Sequence, residues 1–407
     1  MKEFHTINEI TDISLSPFQL IHSLVSKNLP YALWRIPGQK TLQMVIGIDR
    51  STEIKEVDLD TLGSGFLFSP FKTNPKNPYH FIKADLYLTF DEYNLVEFKT
   101  NPILNNSDSL NELEQLIKSG SNDTGNSLYH FRNHENDTET SKDDFVKVVE
   151  NAVDLIRKDE LKKVVPSRNV QIQLPETFDY DSFIRSLCNQ YQNAFVYAVG
   201  IPDGMTWIGA TPETLISQNS GVFKTTALAG TQPYLDGMDL ADAAWRQKEI
   251  EEQAMVSRYI IECFKKIRLR EFEEVGPRAS RAGNLVHLKT DYTVNLNDVS
   301  FPQLADVMLK LLHPTSAVCG MPIESASEFI ESNENFDRAY FSGYLGPHSI
   351  DESTHLFVNL RCMQLLSGNK ASLYAGAGIT ADSNPEKEWI ETELKIQTLK
   401  RVIEEQA

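Results

Sequence analysis

Residues 194–231 read AFVYAVGIPDGMTWIGATPETLISQNSGVFKTTALAGT, and this stretch decides the class of fold. Three runs rich in β-branched and aromatic residues follow one another closely, at residues 194–201, 206–216 and 223–229. Short turns separate these runs. Strands joined by short turns pair in antiparallel fashion, because a parallel pair needs a crossover of a dozen or more residues. The stretch therefore predicts an antiparallel sheet.

Helical patterns lie apart from these strands. The sequence predicts a strand at 163–174, late strands at 355–366 and 371–379, and helices at 145–158, 180–192 and 247–265. Because the helices are grouped rather than alternating with strands, we expect an α+β fold with antiparallel sheets. We assign residues 1–118 to an N-terminal strand-rich part of the same fold and 119–143 to a polar loop or linker. Residues 144–401 then form the main domain.

Composition restricts the function. The 407 residues carry a net charge of -18, which argues against a nucleic-acid partner, since phosphate binding needs clustered Lys and Arg. The four cysteines are scattered without metal-ligand spacing, as is usual for reduced thiols. No apolar run reaches membrane-spanning length, and Met1–Thr6 lacks the basic and apolar pattern of a signal peptide. We expect a cytoplasmic protein with no membrane partner.

Two pairs of glutamates stand out. Glu388 and Glu391 lie three residues apart at the start of a predicted helix, and Glu249 and Glu252 repeat that spacing on another. Residues at this spacing project from the same helix face. Each pair is either a solvated acidic face favoured by the helix dipole or part of a site for a hard cation such as Mg2+.

Three further charged residues interrupt apolar strands. Lys163 begins a valine-rich strand, where it is either an exposed edge charge or a desolvated lysine able to act as a base. Glu213 lies between apolar runs after a proline, so it is either an ordinary turn carboxylate or an acid with a raised pKa. Arg361 interrupts an apolar strand, and a ligand carboxylate would satisfy its guanidinium.

Nine motifs occur in order along the second part of the chain. They are KVVPSR (163–168), GATPE (209–213), ALAGT (227–231), KEIEE (248–252), HPTSAVCG (313–320), FDRAYFSGYLG (336–346), NLRC (359–362), YAGAGI (374–379) and EKEWIETELK (386–395). With this set, residues 144–401 resemble the chorismate-utilising enzymes. That family includes isochorismate synthases, salicylate synthases, anthranilate synthase large subunits and aminodeoxychorismate synthases. The resemblance implies two packed antiparallel sheets with helices outside, and Mg2+ as cofactor.

The resemblance also implies roles for individual residues. Lys163 would deprotonate a water that attacks C2 of chorismate, and Glu213 would protonate the departing C4 hydroxyl. Glu252 and Glu391 would bind Mg2+, with Glu249 and Glu388 close by. The residues that would contact the substrate are Arg361 with the backbone of Gly376, and Gly230, Thr231, His287, Phe341 and Lys395.

Family members differ at a few positions that bear on the reaction. Lys163 resembles the lysine that the water-adding members of the family have at this position, whereas anthranilate synthases typically have glutamine there. Ala229 stands where aminodeoxychorismate synthases place a nucleophilic lysine, and alanine cannot form a covalent adduct. Phe341, within the 336–346 motif, resembles isochorismate synthases, since salicylate synthases have tyrosine at that position. The resemblance therefore implies an isomerase, an isochorismate synthase.

Several alternatives stay open at this stage. Salicylate synthase, which also eliminates pyruvate from isochorismate, is the second candidate. Gln253 and Ser316 depart from the histidine and proline that the family often has, but neither replaces an expected ligand or catalytic group. We expect a monomer. The sequence does not distinguish menaquinone from siderophore synthesis as the destination of the product.

Overall fold

The helices of the protein lie outside two large sheets. The computed structural model describes residues 5–6, 15–100, 111, 115, 129–131 and 138–406, apart from 203, 236 and 284. Within those ranges the helices are α1 (Pro17–Ser26), α2 (Lys142–Arg157), α3 (Tyr180–Gln190), α4 (Gln247–Lys266), α5 (Leu304–Leu312), α6 (Ile323–Asn333) and α7 (Pro385–Glu404).

The first sheet has ten strands, all paired with antiparallel neighbours. In spatial order they are His5–Thr6 (β1), Asn94–Thr100 (β8), Leu86–Asp91 (β7), Leu42–Ile46 (β3), Tyr31–Arg35 (β2), Phe195–Ile201 (β11), Met205–Thr211 (β12), Cys362–Leu366 (β20), Lys370–Gly376 (β21) and Ser167–Gln173 (β10).

The second sheet has nine strands and is also antiparallel. Its order is Glu273–Ala282 (β15), Leu285–Asn295 (β16), Val222–Pro233 (β14), Thr214–Asn219 (β13), Thr354–Val358 (β19), Tyr344–His348 (β18), Gly65–Ser69 (β5), Tyr79–Lys83 (β6) and Glu53–Ile54 (β4). A separate two-stranded ladder pairs Lys163–Val164 (β9) with Gly320–Met321 (β17). The predicted α+β class with two antiparallel sheets is confirmed.

An aromatic layer packs the two sheets against each other. Trp34 and Trp207 come from the first sheet, and Phe66 and Phe68 come from the second. Trp34 lies 5.3 Å from Phe66 between ring centroids, and Phe68 lies 6.2 Å from Trp207. Each ring buries a large apolar area and excludes water from the space between the sheets.

The central strands of each sheet are buried on both faces, whereas edge strands such as β15 are exposed. In β2, Ala32 and Trp34 face the layer between the sheets, while Tyr31 and Leu33 join a core that includes residues of α1, α3 and α7. Helices α4 and α5 cover the outer face of the second sheet. Because successive side chains of a strand point to opposite faces, double coverage explains why these strands are continuously apolar.

Three strands that the sequence predicts as continuous are broken in the structure. The run at 206–216 divides into β12 of the first sheet and β13 of the second, with Pro212 and Glu213 between them. The run at 355–366 likewise divides into β19 and β20, on either side of Arg361. The run at 163–174 divides at Val165–Pro166. Proline lacks the N–H that a ladder needs, so two of these breaks have a local cause.

The helix predictions agree with the structure more closely. Helix α7 begins where expected, because the Asn384 side chain accepts a hydrogen bond of 3.1 Å from the Lys387 amide and Pro385 takes the first helical position. Most of the predicted linker at 119–143 lies outside the described residues, and α2 begins at Lys142. None of the helices in the described part of the chain is long and apolar enough to cross a membrane.

We expect Trp34→Ala to lower the free energy of unfolding by about 3–5 kcal/mol, because it leaves a cavity in the layer that joins the sheets. Trp34 is fully buried, and its indole N–H also donates to Gln43 over 2.7 Å. Urea titration monitored by circular dichroism measures the change. Leu235→Ala, at a side chain that is 69% exposed, is the control and should shift stability by less than about 0.5 kcal/mol. Equal losses in both variants would contradict the assigned packing.

Candidate active site

Glu213 and Arg361 lie at two adjacent points where the chain passes from one sheet to the other. The Val358 amide donates to the Glu213 carbonyl over 2.9 Å, and the Ala210 amide donates to the Arg361 carbonyl over 3.0 Å. Arg361 has a φ of +48°, a left-handed conformation that few residues other than glycine adopt readily. The two crossings therefore hold each other in place and leave both side chains between the sheets.

A cavity of about 590 Å³, measured out to its open mouth, lies beside these crossings. Of the residues predicted to contact substrate or metal, it brings together Glu213, Gly230, Thr231, Glu252, His287, Phe341, Arg361, Gly376 and Lys395. These residues come from both sheets and from α4 and α7. Residues far apart in sequence therefore meet around one cavity.

Lys163 lies behind the cavity wall rather than on it. Its side chain is 0% exposed, and its Nζ lies 3.1 Å from Oε1 of Glu252, which does line the cavity. A Cβ added to Gly378 would come within 2.2 Å of the same Oε1 and within 3.2 Å of Lys163 Cε. Only glycine fits there, so the strand end approaches the ion pair closely.

The predicted glutamate pairs face each other from α4 and α7, and lysines neutralise them. Lys248 Nζ lies 2.5 Å from Glu388 Oε1. Lys395 Nζ lies 2.7 Å from Glu391 Oε1 and also donates to the Gly376 carbonyl over 2.8 Å. Glu388 is almost fully buried, and burial raises its pKa although Lys248 opposes the rise. Of the two alternatives for these pairs, a solvated acidic face is therefore excluded for Glu388.

The glutamates suit a hard divalent cation in their donor chemistry. Oε2 of Glu388 is buried and accepts no hydrogen bond from the described residues, so it has a free lone pair for a ligand. Glu249 uses Oε2 to accept from the Arg246 amide over 2.8 Å at the start of α4. In the described part of the chain, no three of the four carboxylates converge within 4.8 Å of one another. Mg2+ binding therefore stays a prediction.

Glu213 and Glu252 are both buried glutamates of the cavity, but their pKa values move in opposite directions. Burial raises the pKa of Glu213 to about 7, against the opposing effect of Lys163, Arg361 and Lys395. Burial acts on Glu252 in the same sense, but Lys163, Lys248 and Lys395 together bring its pKa below the ordinary value. A raised pKa for Glu213 agrees with the expectation from its apolar neighbours.

His287 presents a hydrogen-bond acceptor to the cavity. Its Nδ1 lies 3.0 Å from the Gly230 carbonyl, which can only accept, so Nδ1 carries the proton and Nε2 holds a lone pair. Burial, and next the Arg361 charge, lower the pKa of His287 to about 3. Nε2 is buried without a hydrogen-bond partner among the described residues. Gly230 makes the contact possible because its φ of +71° forms a bulge in β14.

Apolar and small residues complete the cavity. Phe341 stacks on Tyr374 with ring centroids 5.4 Å apart, and Ala229 lies beside Gly230 on β14. Sequence reasoning quoted Ser167, Ala317 and Val318 inside motifs but assigned them no part in the site, although all three line the cavity. Ser167 is the first residue of β10, and its hydroxyl is buried without a partner in the described structure. Its place between Pro166 and Arg168 gave no signal of a role in the site.

Comparisons with known proteins identify the family. A model of the family described as chorismate binding enzyme matches residues 45–404. The chain belongs to this family. The vibriobactin-specific isochorismate synthase of Vibrio cholerae is 29% identical over 247 residues, 59% of this chain and 61% of that protein. Isochorismate synthase DhbC of Bacillus subtilis is 30% identical, over 64% of this chain and 68% of that protein. The chain thus matches less than two thirds of the Vibrio cholerae protein.

Solved structures show the same fold. The menaquinone-specific isochorismate synthase MenF from Escherichia coli aligns with a TM-score of 0.77 at 20% identity, over 98% of this chain and 94% of that one. Anthranilate synthase component I from Streptococcus pneumoniae aligns with a TM-score of 0.66 at 20% identity, over 91% and 92% of the two chains. At this identity the likeness concerns architecture, which includes the N-terminal strands β2–β8 as well as the matched motifs.

The pKa of Glu213 leads to a stability prediction. Since its value is about 7 in the folded state against 4.5 for an ordinary glutamate, the folded protein binds more protons than the unfolded chain between these pH values. The free energy of unfolding therefore falls as pH rises through this window. Glu213→Gln removes the effect, so its stability relative to the wild type should increase by about 1–3 kcal/mol between pH 5 and pH 8.

Urea unfolding of both proteins at pH 5, 6, 7 and 8 measures this difference. Glu56→Gln, at an exposed position outside the cavity, is the matched control, and its stability difference should not change with pH. A relative stability of Glu213→Gln that rises towards low pH would show that the carboxylate is the favoured form.

Proposed function

We propose that the protein is an isochorismate synthase, an isomerase that adds water at C2 of chorismate and releases the C4 hydroxyl. The observation that carries the proposal is the buried carboxyl of Glu213, with a pKa of about 7, in one cavity with Arg361 and Lys395. The matched relatives support it, because the Vibrio cholerae and Bacillus subtilis proteins are both isochorismate synthases.

The cavity suits a small dianion in a protein whose net charge is -18. The described residues give the Arg361 guanidinium no hydrogen bond or ion pair, and burial lowers its pKa. A planar carboxylate can bind such a guanidinium through two hydrogen bonds. Lys395 lies at the same wall, where it donates to the Gly376 carbonyl. In the proposal, Arg361 and the backbone of Gly376 bind the enolpyruvyl carboxylate.

Acid and base groups stand in different environments, as this substitution requires. Glu213 keeps its proton at neutral pH in about half of the molecules and donates it to the departing C4 hydroxyl, which leaves as water. In the proposal, Lys163 loses its own proton when the ion pair with Glu252 breaks, and as a neutral amine it then takes a proton from the water that bonds to C2. The product gains and loses one hydroxyl, so the net reaction is an isomerisation. Lys163 acts only after Glu252 gives up the ion pair, because Nζ is enclosed behind that carboxylate.

Mg2+ is the proposed cofactor. When bound, a divalent cation would neutralise the ring carboxylate of the substrate and the acidic residues around it. Glu252 and Glu391 would hold it, with Glu249 and Glu388 nearby. Glu252 and Glu391 each bind a lysine through Oε1, which a cation would displace, whereas Oε2 of Glu388 is available without release of Lys248. Displacement from Glu252 would free Lys163, so that ligand and the base depend on each other.

Salicylate synthase is the second candidate, because it performs the same first step. The aromatic wall distinguishes the two in the proposal. Phe341 offers no hydroxyl to the cavity, and its ring is fixed against Tyr374. A wall without a hydrogen-bonding group there favours release of isochorismate over pyruvate elimination. The relatives that match include menaquinone-specific and vibriobactin-specific enzymes, so either destination of the product fits. We also propose that the protein is a monomer and that it is cytoplasmic. Its four free, buried cysteines support the cytoplasmic location.

The first prediction concerns product identity. Purified protein given chorismate and Mg2+ at neutral pH should form isochorismate, detected by chromatography. Lys163→Ala should reduce the rate by at least about 10²–10⁴-fold, because the attacking water loses its base. Chorismate should still bind to this variant with an affinity similar to that of the wild type, since Arg361 and Lys395 are intact.

Lys83→Ala, at an exposed strand end outside the cavity, is the control and should retain full activity. Salicylate and pyruvate as the main products would replace the proposal with the salicylate synthase alternative. Anthranilate formed in the presence of ammonia would point instead to an anthranilate synthase.

The second prediction concerns the metal. Glu391→Gln should lose activity that added Mg2+ restores only in part, because one ligand charge is gone. Calorimetric titration with Mg2+ in the absence of substrate should show weaker binding in this variant. Glu386→Gln, at an exposed glutamate of the same helix, is the matched control and should bind Mg2+ like the wild type. Full activity in excess EDTA would contradict the metal model.

A further inference from the structure

Arg338 is a buried arginine whose donors are all directed at the surroundings of the cavity. Its side chain is 3% exposed. Nε and Nη2 donate to the two oxygens of Glu334 over 2.8 and 2.5 Å, and this carboxylate is equally buried. Nη1 donates to the Val318 carbonyl over 3.0 Å, and Nη2 also donates to the Val165 carbonyl over 2.7 Å. One guanidinium thus joins two separate backbone segments.

Both segments form walls of the cavity. Val165 and Val318 line it directly, and Glu334 extends the network because its Oε1 accepts from the Ser167 amide over 2.7 Å. The guanidinium carbon also lies 6.0 Å from the ring centroid of Phe341, another lining residue. Arg338 itself does not line the cavity. Its contacts surround the site without entering it.

The segment bound by Arg338 carries Lys163. Residues 163–168 include β9, which pairs with β17 directly after Val318 and Cys319. The Val165 amide donates to the Cys319 carbonyl over 2.9 Å, so the two segments are joined on both sides of Val165. Val164 also pairs with Ile379, and the Pro166 carbonyl accepts from the Ala377 amide over 3.1 Å, so the bonds from Arg338 add to a backbone frame around Lys163.

We propose that Arg338 is a positioning residue, which holds the segment 163–168 and so fixes Lys163 relative to the rest of the cavity. The inference rests on the proposed function, in which Lys163 is the base. Arg338 touches neither substrate nor reacting atoms. Its effect is transmitted through the Val165 carbonyl and through Glu334, which binds the Ser167 amide.

A positioning role predicts a particular kinetic pattern. The groups proposed to bind the substrate carboxylates, Arg361 and Lys395, have no contact with Arg338 among the described residues and lie on other elements. Loss of Arg338 should therefore leave substrate binding nearly intact and reduce the rate of the chemical step. Displacement of a reacting group by about 1 Å costs on the order of 100-fold in rate.

The chain offers a matched control in Arg35. It is also buried, and it donates to three backbone carbonyls, those of Cys188, Tyr191 and Ala194. None of these residues lines the cavity. Arg35 therefore has the burial and the bonding of Arg338 without its location. A loss of activity that occurs on substitution of either arginine would reflect general damage to the structure. A loss confined to the Arg338 variant would reflect its position beside the cavity.

The experiment compares Arg338→Lys with Arg35→Lys. Lysine keeps the charge but cannot span a carboxylate and two carbonyls in fixed geometry. For Arg338→Lys we expect kcat to fall by about 10–100-fold with KM within about 3-fold of the wild type. Amide hydrogen exchange, measured by mass spectrometry, should accelerate in residues 163–168 and 317–320. For Arg35→Lys we expect faster exchange near residues 188–194 and an unchanged kcat.

Glu334→Gln is a second variant in case Arg338→Lys does not fold, and it should show the same pattern because it weakens the same network. Equal losses of kcat in the Arg338→Lys and Arg35→Lys variants would overturn the proposal, as would a raised KM at unchanged kcat. Exchange at 163–168 that stays at the wild-type rate would also overturn it. A wild type that does not convert chorismate would refute the proposed function alone, since hydrogen exchange reports on the segment without turnover.

Discussion

The site depends on one constraint of the backbone, the passage of the chain between two packed sheets at two neighbouring points. Where β12 gives way to β13 and β19 to β20, the ladder is interrupted and the side chains of Glu213 and Arg361 lie between the sheets. Both crossings are bonded to each other through backbone amides and carbonyls. A polar pair inside an apolar double sheet is costly unless a ligand or a partner satisfies it. Glu213 and Arg361 partly compensate each other here, and the cavity beside them leaves room for further polar contacts.

The lysines of the site neutralise its buried carboxylates. Glu252, Glu388 and Glu391 each bind one lysine at 2.5–3.1 Å, and the pairs are largely removed from water. A buried carboxylate without a counter-charge is strongly destabilising unless it is protonated. Lysines supply the counter-charge in the structure, and Mg2+ would supply it in the proposed holoenzyme.

Much of this arrangement could be predicted from the sequence, and the remainder has physical reasons for being missed. The i, i+3 spacing of the glutamates places both on one helix face, whatever the rest of the fold does. Glu213 and Arg361 could be singled out because each is one charged residue that interrupts an apolar run. The pattern of apolar and polar residues could not show that the chain changes sheets at these positions. Lys163 was expected in the cavity, whereas it lies behind Glu252. The depth at which Lys163 is buried depends on packing between elements that are distant in sequence. The same is true of the hydrogen-bond network around Arg338, where three segments of the chain meet.

Two buried glutamates of opposite behaviour show how position assigns chemical roles. Glu213 and Glu252 line the same cavity, yet the pKa of Glu213 is raised to about 7 and that of Glu252 is lowered. Burial acts on both in the same direction, so the difference comes from charge. Lys163 lies 3.1 Å from Glu252, while Glu213 has no ion-pair partner among the described residues. A carboxyl that holds its proton can serve as an acid, and one that has lost it can serve as a ligand. The close ion pair with Lys163, together with Lys248 and Lys395, therefore separates Glu252, a proposed metal ligand, from Glu213, the proposed acid.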